Sequence, residues 1–368
     1  MKSVLIKQTA FLGVVASIHS CTGADVVEQR GVSPSSTQTM AFSGDTVTST
    51  DDKVMVIFQD SRDAFWFGGG DSGVYRYDGK SLIRFSTKHG LCSNTVLGIQ
   101  EDKAGDLYFD TQDGVCKFDG KSFTTLPVIE SVLNQWKLGP DDLWFRMGWN
   151  SKRGPYRYDG KHLYHLEFPK TAQADTFHSE YPQATYDPYG IYSMYKDRKG
   201  NMWFGTATVG VCRFDGNTAS WLYEKQLTDT PEGGSFGIRS ILEDKADKFW
   251  FCNTQYRYDI KPTSTVVNGT RLVDYTREDG IAAAEGEEKF PYFLGMTEDD
   301  KGELWMVTFD DGVWHSDGRS LVRFPLEEGD KEALLFCIYK DQQGGLWVGS
   351  QNAGAFRLKG DAFVPFVP

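Results

Sequence analysis

The most chemically suggestive short motif in the sequence is Gly-Asp-Ser-Gly, residues 70–73 within "GGDSGV" (69–74). In trypsin-like proteases this motif surrounds a serine nucleophile, whose hydroxyl a histidine and an aspartate must activate. No histidine and aspartate stand in matching context here. The stretch falls between two strand signals, where other parts of the chain also carry small polar residues, so it reads as a loop. Nor is it a phosphate cradle, because no helix follows to present backbone amides.

Carboxylates concentrate in "QDSRD" (59–63), "EDKAGD" (101–106), "KDRKG" (196–200), "EDKAD" (243–247) and "EDDKG" (298–302). Such clusters can bind calcium, yet none has the spacing of an EF-hand loop. Their recurrence at one kind of hairpin favours turn capping: the carboxylate accepts hydrogen bonds from its own turn amides, and glycine supplies positive φ. Among the six histidines, His162 and His165 lie three apart on one strand signal and so face opposite ways, while His89, His178 and His315 are isolated. Neither a metal nor another cofactor is expected, and no catalytic residue is assigned.

The first 21 residues have the layout of a secretory leader, with Lys2 and Lys7, an apolar run from Ala10 to Ile18, then Ser20 and Cys21. "SIHSC" resembles the lipobox of bacterial lipoproteins, which implies lipidation of Cys21 and attachment to a membrane in the cell envelope of a Gram-negative bacterium. Residues 22–50 are Ser/Thr-rich, with little apolar periodicity, and read as a flexible tether. The remaining cysteines, 92, 116, 212, 252 and 337, lack zinc spacing and are odd in number, so no disulfide framework is expected. Cys116 and Cys212 occupy the same place in two copies of a repeat, as buried small hydrophobes would.

That repeat is what must position everything else. "NMWFGTATVGVCRFDG" (201–216) is echoed by stretches starting at 64, 106, 142, 248, 303 and 345, seven copies anchored on Trp66, Tyr108, Trp144, Trp203, Trp250, Trp305 and Trp347. Each copy sits among four short strand signals, clearest as "VMVIF" (54–58), "AFWFG" (64–68), "GVYRYD" (73–78) and "SLIRF" (81–85). No helical periodicity interrupts them. A four-stranded antiparallel sheet cannot hide both its faces alone, and twist favours radial stacking of copies. The expected fold is therefore all-β, a seven-bladed β-propeller of four-stranded antiparallel blades over 51–368. The Trp would lie between blades, and the Gly of "FGT" (204–206) would allow close backbone approach.

The units resemble the two-component regulator propeller repeat, and "HGLCSNTVLGIQEDKAGDLYFDTQDGVCKFDG" (89–120) follows its pattern nearly end to end. The third unit departs, lacking the D-x-x-G turn and carrying an insertion at Gly148–Arg153. The fifth replaces the Asp-Gly turn with "DIKPTSTVVNGTRL". In that family such propellers are commonly periplasmic sensor halves of hybrid histidine kinases that recognise oligosaccharides. The resemblance implies a ligand- or partner-binding module, and kinase function does not carry over.

Loops from the fourth strand to the next unit, and from second to third strand, should gather on one face around the central channel. The longest, 168–190, holds Phe177, His178, Tyr181, Tyr186 and Tyr189, and the third unit's insertion adds Trp149, Asn150 and Arg153. Aromatic rings beside amides and charges suit sugar rings or peptides, and these eight residues are the candidate ligand-binding set; simple packing of the loop onto the rim competes with that reading. With 51 acidic against 39 basic side chains, a net charge of −12 leaves no basic patch for nucleic acid. The expected function is non-enzymatic binding of a glycan, peptide or envelope protein, and the resemblance implies a sensory role. Two alternatives stay open: a metal-assisted lyase-type propeller, as in the seven-bladed streptogramin lyases, and a structural subunit of an envelope complex.

Overall fold

The computed structural model describes residues 44–130, 135–148, 153–224, 227, 237–281, 292–328 and 331–368. Cys21 lies outside them, as do Trp149 and Asn150. Within them the protein is all-β and propeller-like, with sheets in which strands pair antiparallel with their neighbours in sequence. In the first unit the order is Val54–Gln59, Phe65–Gly69, Val74–Tyr77, Leu82–Phe85. Four-stranded meanders of the same order follow at residues 96–125, 295–324 and 335–365.

The turn aspartates explain the repeat. Asp60, Asp197, Asp244, Asp299 and Asp341 each take the indole N–H of the tryptophan six residues later, at 2.8 to 3.2 Å, and Asp102 takes the Tyr108 hydroxyl at 3.0 Å. The other carboxylate oxygen accepts turn amides, as Asp197 Oδ1 does from Asn201 N at 2.7 Å. A single side chain thus closes the hairpin and satisfies the one polar atom of a buried aromatic. Those aromatics pack between neighbouring units: the Trp66 ring lies 5.4 Å from that of Phe109, and the Trp203 ring 4.7 Å from that of Phe249. A Cβ on Gly205 would collide with Ser193 Oγ and the Ile238 carbonyl at the entry to the next unit, so the glycine of "FGT" is there for close approach.

The innermost strands of successive units contact one another. Val54–Gln59 touches both Val96–Glu101 and Leu335–Lys340, while Ile191–Lys196, Ile241–Glu243, Gly295–Glu298 and Leu335–Lys340 touch in sequence. Between the first and last units, Gln342 N donates to Gln59 Oε1 at 2.8 Å, and Gln59 Nε2 donates to Gln343 Oε1 at 3.1 Å. The last unit supplies its own outer strand, Ala362–Pro365. Asp45–Val47 pairs antiparallel with Leu82–Phe85 as a fifth strand of the first sheet, so part of the stretch read as tether is strand.

Three expectations need correction. The third unit is not a regular four-stranded antiparallel blade: its innermost strand is Leu143–Phe145, followed by Tyr156–Tyr158 and Leu163–His165, and Val128–Ile129 adds a parallel outer pair. Among the described residues no strand pairs with the other edge of Leu143–Phe145, and Leu138 stands where the other units carry the turn aspartate. In the fifth unit Tyr256–Val267 and Thr270–Asp279 form a long hairpin over an Asn268-Gly269 turn with both φ angles positive, and it meets the fourth unit's outer strand at Trp221↔Leu272. Two four-strand groups so become one eight-stranded sheet. A helix, Ala172–Glu180, breaks the all-strand pattern, with the Thr171 side chain accepting from Ala174 N at 3.3 Å. Its sequence lacks amphipathic periodicity, which is why strand patterning passed over it. Cys92 and Cys116 are disulfide-bonded across 24 residues, whereas Cys212, Cys252 and Cys337 are free.

Candidate functional site

Among the described residues Leu143–Phe145 is the edge strand of its sheet, and the buried amides and carbonyls along that edge must find partners. The second unit supplies them. Gln100 Nε2 donates to the Trp144 carbonyl at 2.5 Å and its Oε1 accepts from Trp144 N at 3.4 Å. Asp110 accepts from Arg146 N and Met147 N, both at 2.9 Å. Asp110 and Arg146 each follow their unit's anchoring aromatic by two residues, where Gly68, Gly205 and Gly349 stand elsewhere. At these two positions a carboxylate and a guanidinium stand where three other units carry a close-approach glycine.

The result is a cavity of about 460 Å³ walled by inner strands, with Arg146, Arg239, Tyr192, Leu97, Leu294 and Phe336 in its lining. Arg146 donates to the carbonyls of Leu97 at 2.7 Å and Tyr192 at 3.3 Å, and Arg239 lies 4.3 Å from the centroid of the Tyr192 ring. Burial, and then the charge of Arg239, lower the Arg146 pKa against the pull of Asp110. Burial raises the Asp110 carboxyl above its usual range, opposed by Arg146 and the two amides.

A second hollow, about 230 Å³, lies between the helix and the fourth unit, lined by Gln173, Phe177, Tyr181, Thr208 and Tyr223 among others. It belongs to the loop side: the helix precedes that unit's first strand, Thr208 joins its second and third strands, and Tyr223 follows its fourth. Thr208 N bonds to the Pro188 carbonyl at 3.2 Å and Ala207 N to that of Gly190 at 2.9 Å, tying the two loops together. Thr208 is 8% exposed, and its Oγ1 is buried without a hydrogen-bond partner, as is Gln173 Oε1. Tyr181 is half exposed.

Of the residues singled out in sequence, the structure brings Phe177 together with His178, Tyr181 and Tyr186, with ring centroids 5.3 to 5.6 Å apart. His178 points to solvent. Tyr189 is buried: its hydroxyl accepts from Thr171 N at 2.8 Å, and Arg153 lies 4.5 Å from the centroid of its ring. These two are packing residues of the loop base, so the aromatic loop divides into a buried half and a surface half. Sequence reasoning missed Arg146, Arg239, Gln173 and Thr208. The available signal was charge at two of the four positions where the repeat's glycine is replaced, Asp110 and Arg146 as against Cys252 and Val307.

Asp299, Glu303 and His315 converge within 4.8 Å, a grouping of potential metal ligands. Each has a place in the repeat instead: Asp299 holds the Trp305 indole, and His315, 3.0 Å from Glu303, stacks on Trp305 with centroids 4.1 Å apart. Arg76, Lys117, Arg213 and Arg357 cover their anchoring aromatics from the equivalent position.

Comparison with known proteins agrees with this architecture. The model of the two component regulator propeller family matches residues 185–208 and 332–352, so the chain carries repeats of that kind. No curated protein sequence matches it. Among solved structures, the extracellular domain of BT4673 from B. thetaiotaomicron, described as a hybrid two component system, is similar at TM-score 0.55 and 18% identity, over 85% of this chain and 39% of that one. The corresponding domain of BT3049 from the same organism gives 0.56 and 16%, over 86% and 41%. Virginiamycin B lyase from Staphylococcus aureus gives 0.55 and 11%, over 85% and 97%. The chain thus spans about two fifths of the length of the extracellular domains it matches, and at these identities the likeness is one of fold.

Proposed function

We propose that the protein is a seven-bladed, non-enzymatic binding propeller of the Gram-negative cell envelope, held by lipid on Cys21 and engaging a glycan, peptide or envelope protein with its loop-rich face. Seven anchoring aromatics and the division of the eight-stranded sheet at Trp221↔Leu272 support the blade count. The likeness to extracellular sensor domains supports a sensory role and an envelope location. No helix among the described residues is long and apolar enough to cross a membrane.

One observation carries the proposal: beside a half-exposed tyrosine, the hollow at the helix holds two buried polar atoms, Gln173 Oε1 and Thr208 Oγ1, without protein partners. Buried polar atoms without partners are costly, and a hydroxyl- or amide-bearing ligand stacked on Tyr181 would relieve that cost. The test is a screen of the chain lacking its leader, residues 22–368, against glycans, peptides and envelope extracts, with Tyr181→Ala as control. Saturable binding lost in the variant is the expected result. Turnover of a substrate, or binding indifferent to Tyr181, overturns it.

A further inference from the structure

The hollow at the helix has a one-sided chemistry. Gln173, Thr176, Phe177, Glu180 and Tyr181 stand at i, i+3, i+4, i+7 and i+8 along Ala172–Glu180 and its C-cap, so they share one face, and Thr208 and Tyr223 stand against them. Rings and acceptor oxygens make up this lining, and among the described residues no basic side chain joins it. Gln173 Oε1 and Thr208 Oγ1 are buried without a partner. Thr176 Oγ1 donates to the Ala172 carbonyl at 3.1 Å, so it offers any further group only a lone pair.

Glu180 breaks a local rule. It is the last residue of the helix, where the macrodipole is negative and a carboxylate is out of place. It is exposed, and among the described residues it has neither an ion pair nor a hydrogen bond. The basic residue of that turn, His178, does not line the hollow. A side chain set against its local preference marks a place where function competes with stability. Size limits what enters: at about 230 Å³ the hollow is smaller than the pockets of about 300–1,000 Å³ that enclose whole small ligands, so it suits one side chain rather than an oligosaccharide.

We propose that the hollow receives an arginine side chain of a polypeptide partner, its guanidinium stacked on Tyr181 and donating to Gln173 Oε1 and Thr208 Oγ1, with Glu180 as countercharge. A guanidinium has five donors and no acceptor, which matches walls that offer acceptors. It lies flat on aromatic rings and is less strongly hydrated than an ammonium, so it gives up less on entering a half-buried site. Gln173 and Glu180 are seven residues apart, about 10 Å along the helix axis, and a branched fork on a long stem serves acceptors so spread better than a single point charge does. A net charge of −12 draws a basic segment toward the protein. The inference rests on the proposed function: it keeps that site and narrows its ligand to a basic polypeptide.

The experiment is calorimetric titration of residues 22–368 with three capped tripeptides, acetyl-Gly-X-Gly-amide, in which X is arginine, lysine or citrulline, the last a neutral isostere of arginine. The expected result is saturable binding of the arginine peptide, about tenfold tighter than the citrulline peptide and tighter than the lysine peptide. Glu180→Gln should weaken it about threefold or more, and added salt should weaken it in the parent but less in the variant. The same substitution takes an acid off the negative end of the helix, so the unfolding midpoint should hold or rise; a lowered midpoint would make Glu180 a structural residue and overturn its role. No binding of the arginine peptide, equal binding of the citrulline peptide, a preference for lysine, or indifference to Glu180→Gln overturns the proposal. A glycan or neutral peptide that binds through Tyr181 while the arginine peptide does not removes this inference and keeps the proposed function; no ligand in either experiment removes both.

Discussion

Asp197 Oδ2 accepts the indole N–H of Trp203 at 2.9 Å, and the same bond recurs wherever an aspartate stands six residues before the anchoring tryptophan. Trp144 is the exception. Leu138 occupies the sixth position before it, and its buried Nε1 has no partner. Trp203→Phe and Trp144→Phe remove the same atoms from two similar interfaces, and only the first deletes a hydrogen bond. Trp203→Phe should therefore cost about 1–2 kcal/mol more than Trp144→Phe, read from the denaturant midpoints of the two variants. Equal losses would mean that the aspartate only shapes the turn.

The two kinds of inner-wall glycine should separate in the same assay. A Cβ on Gly205 overlaps Ser193 Oγ and the Ile238 carbonyl, whereas one on Gly98 meets Asp110 Cβ at an ordinary 3.5 Å. Neither glycine has a positive φ, so space alone decides. Gly205→Ala is expected to lower stability by about 1–3 kcal/mol and Gly98→Ala to leave it nearly unchanged.

Acid sensitivity should follow the third-to-fourth-strand turns. Asp317 is held at about 2, below the ordinary 3.8, by the amides of Ser320 and Arg319, and Asp119 is lowered in the same way by those of Ser122 and Lys121. A depressed carboxyl adds stability that is present above pH 3.8 and disappears as pH falls toward 2. Unfolding midpoints should therefore fall across that window, and Asp317→Asn should flatten the decline. A variant with an unchanged pH profile would remove the turn from the account.

These aspartates, aromatics and glycines were legible in sequence because each acts within about a dozen residues, so spacing alone reveals the contact. The glycine of "FGT" was readable for the same reason, although what it approaches, the Ile238 carbonyl, lies in the next unit. The cavity among the inner strands was not. Arg146 and Arg239 come from different units and line one cavity, a juxtaposition that no local spacing reveals. The partners of the Leu143–Phe145 edge were hidden for a related reason: Gln100 and Asp110 stand 44 and 36 residues away in sequence. The helix at 172–180 escaped because it is short and its Thr171 cap sits in a polar loop without an apolar stripe.

The cysteines offer a direct count. With Cys92 and Cys116 paired and Cys212, Cys252 and Cys337 free, residues 22–368 should titrate three thiols when denatured without reductant and five after reduction. Closing a loop of 24 residues restricts the unfolded chain, so reduction should cost about 3 kcal/mol. Five thiols before reduction, in protein secreted to an oxidising compartment, would show that the pair does not form.

The aromatic hollow separates binding from stability residue by residue. Phe177 is 7% exposed and anchors the rings of Tyr181 and Tyr186, so Phe177→Ala removes both packing and the shelf, with an expected loss of about 3 kcal/mol. Tyr181 is 50% exposed, and its removal leaves little cavity behind; Tyr181→Ala should keep the unfolding midpoint within about 0.5 kcal/mol of the parent while abolishing ligand binding. Thr208→Val tests the buried hydroxyl from the other side. Its Oγ1 has no protein partner to lose, so an isosteric methyl should leave the fold as stable or more so. If that hydroxyl is kept for a ligand, the same substitution weakens binding about tenfold as stability rises. A stabilised variant that binds like the parent would make Thr208 a packing residue and leave Gln173 as the hollow's one polar anchor.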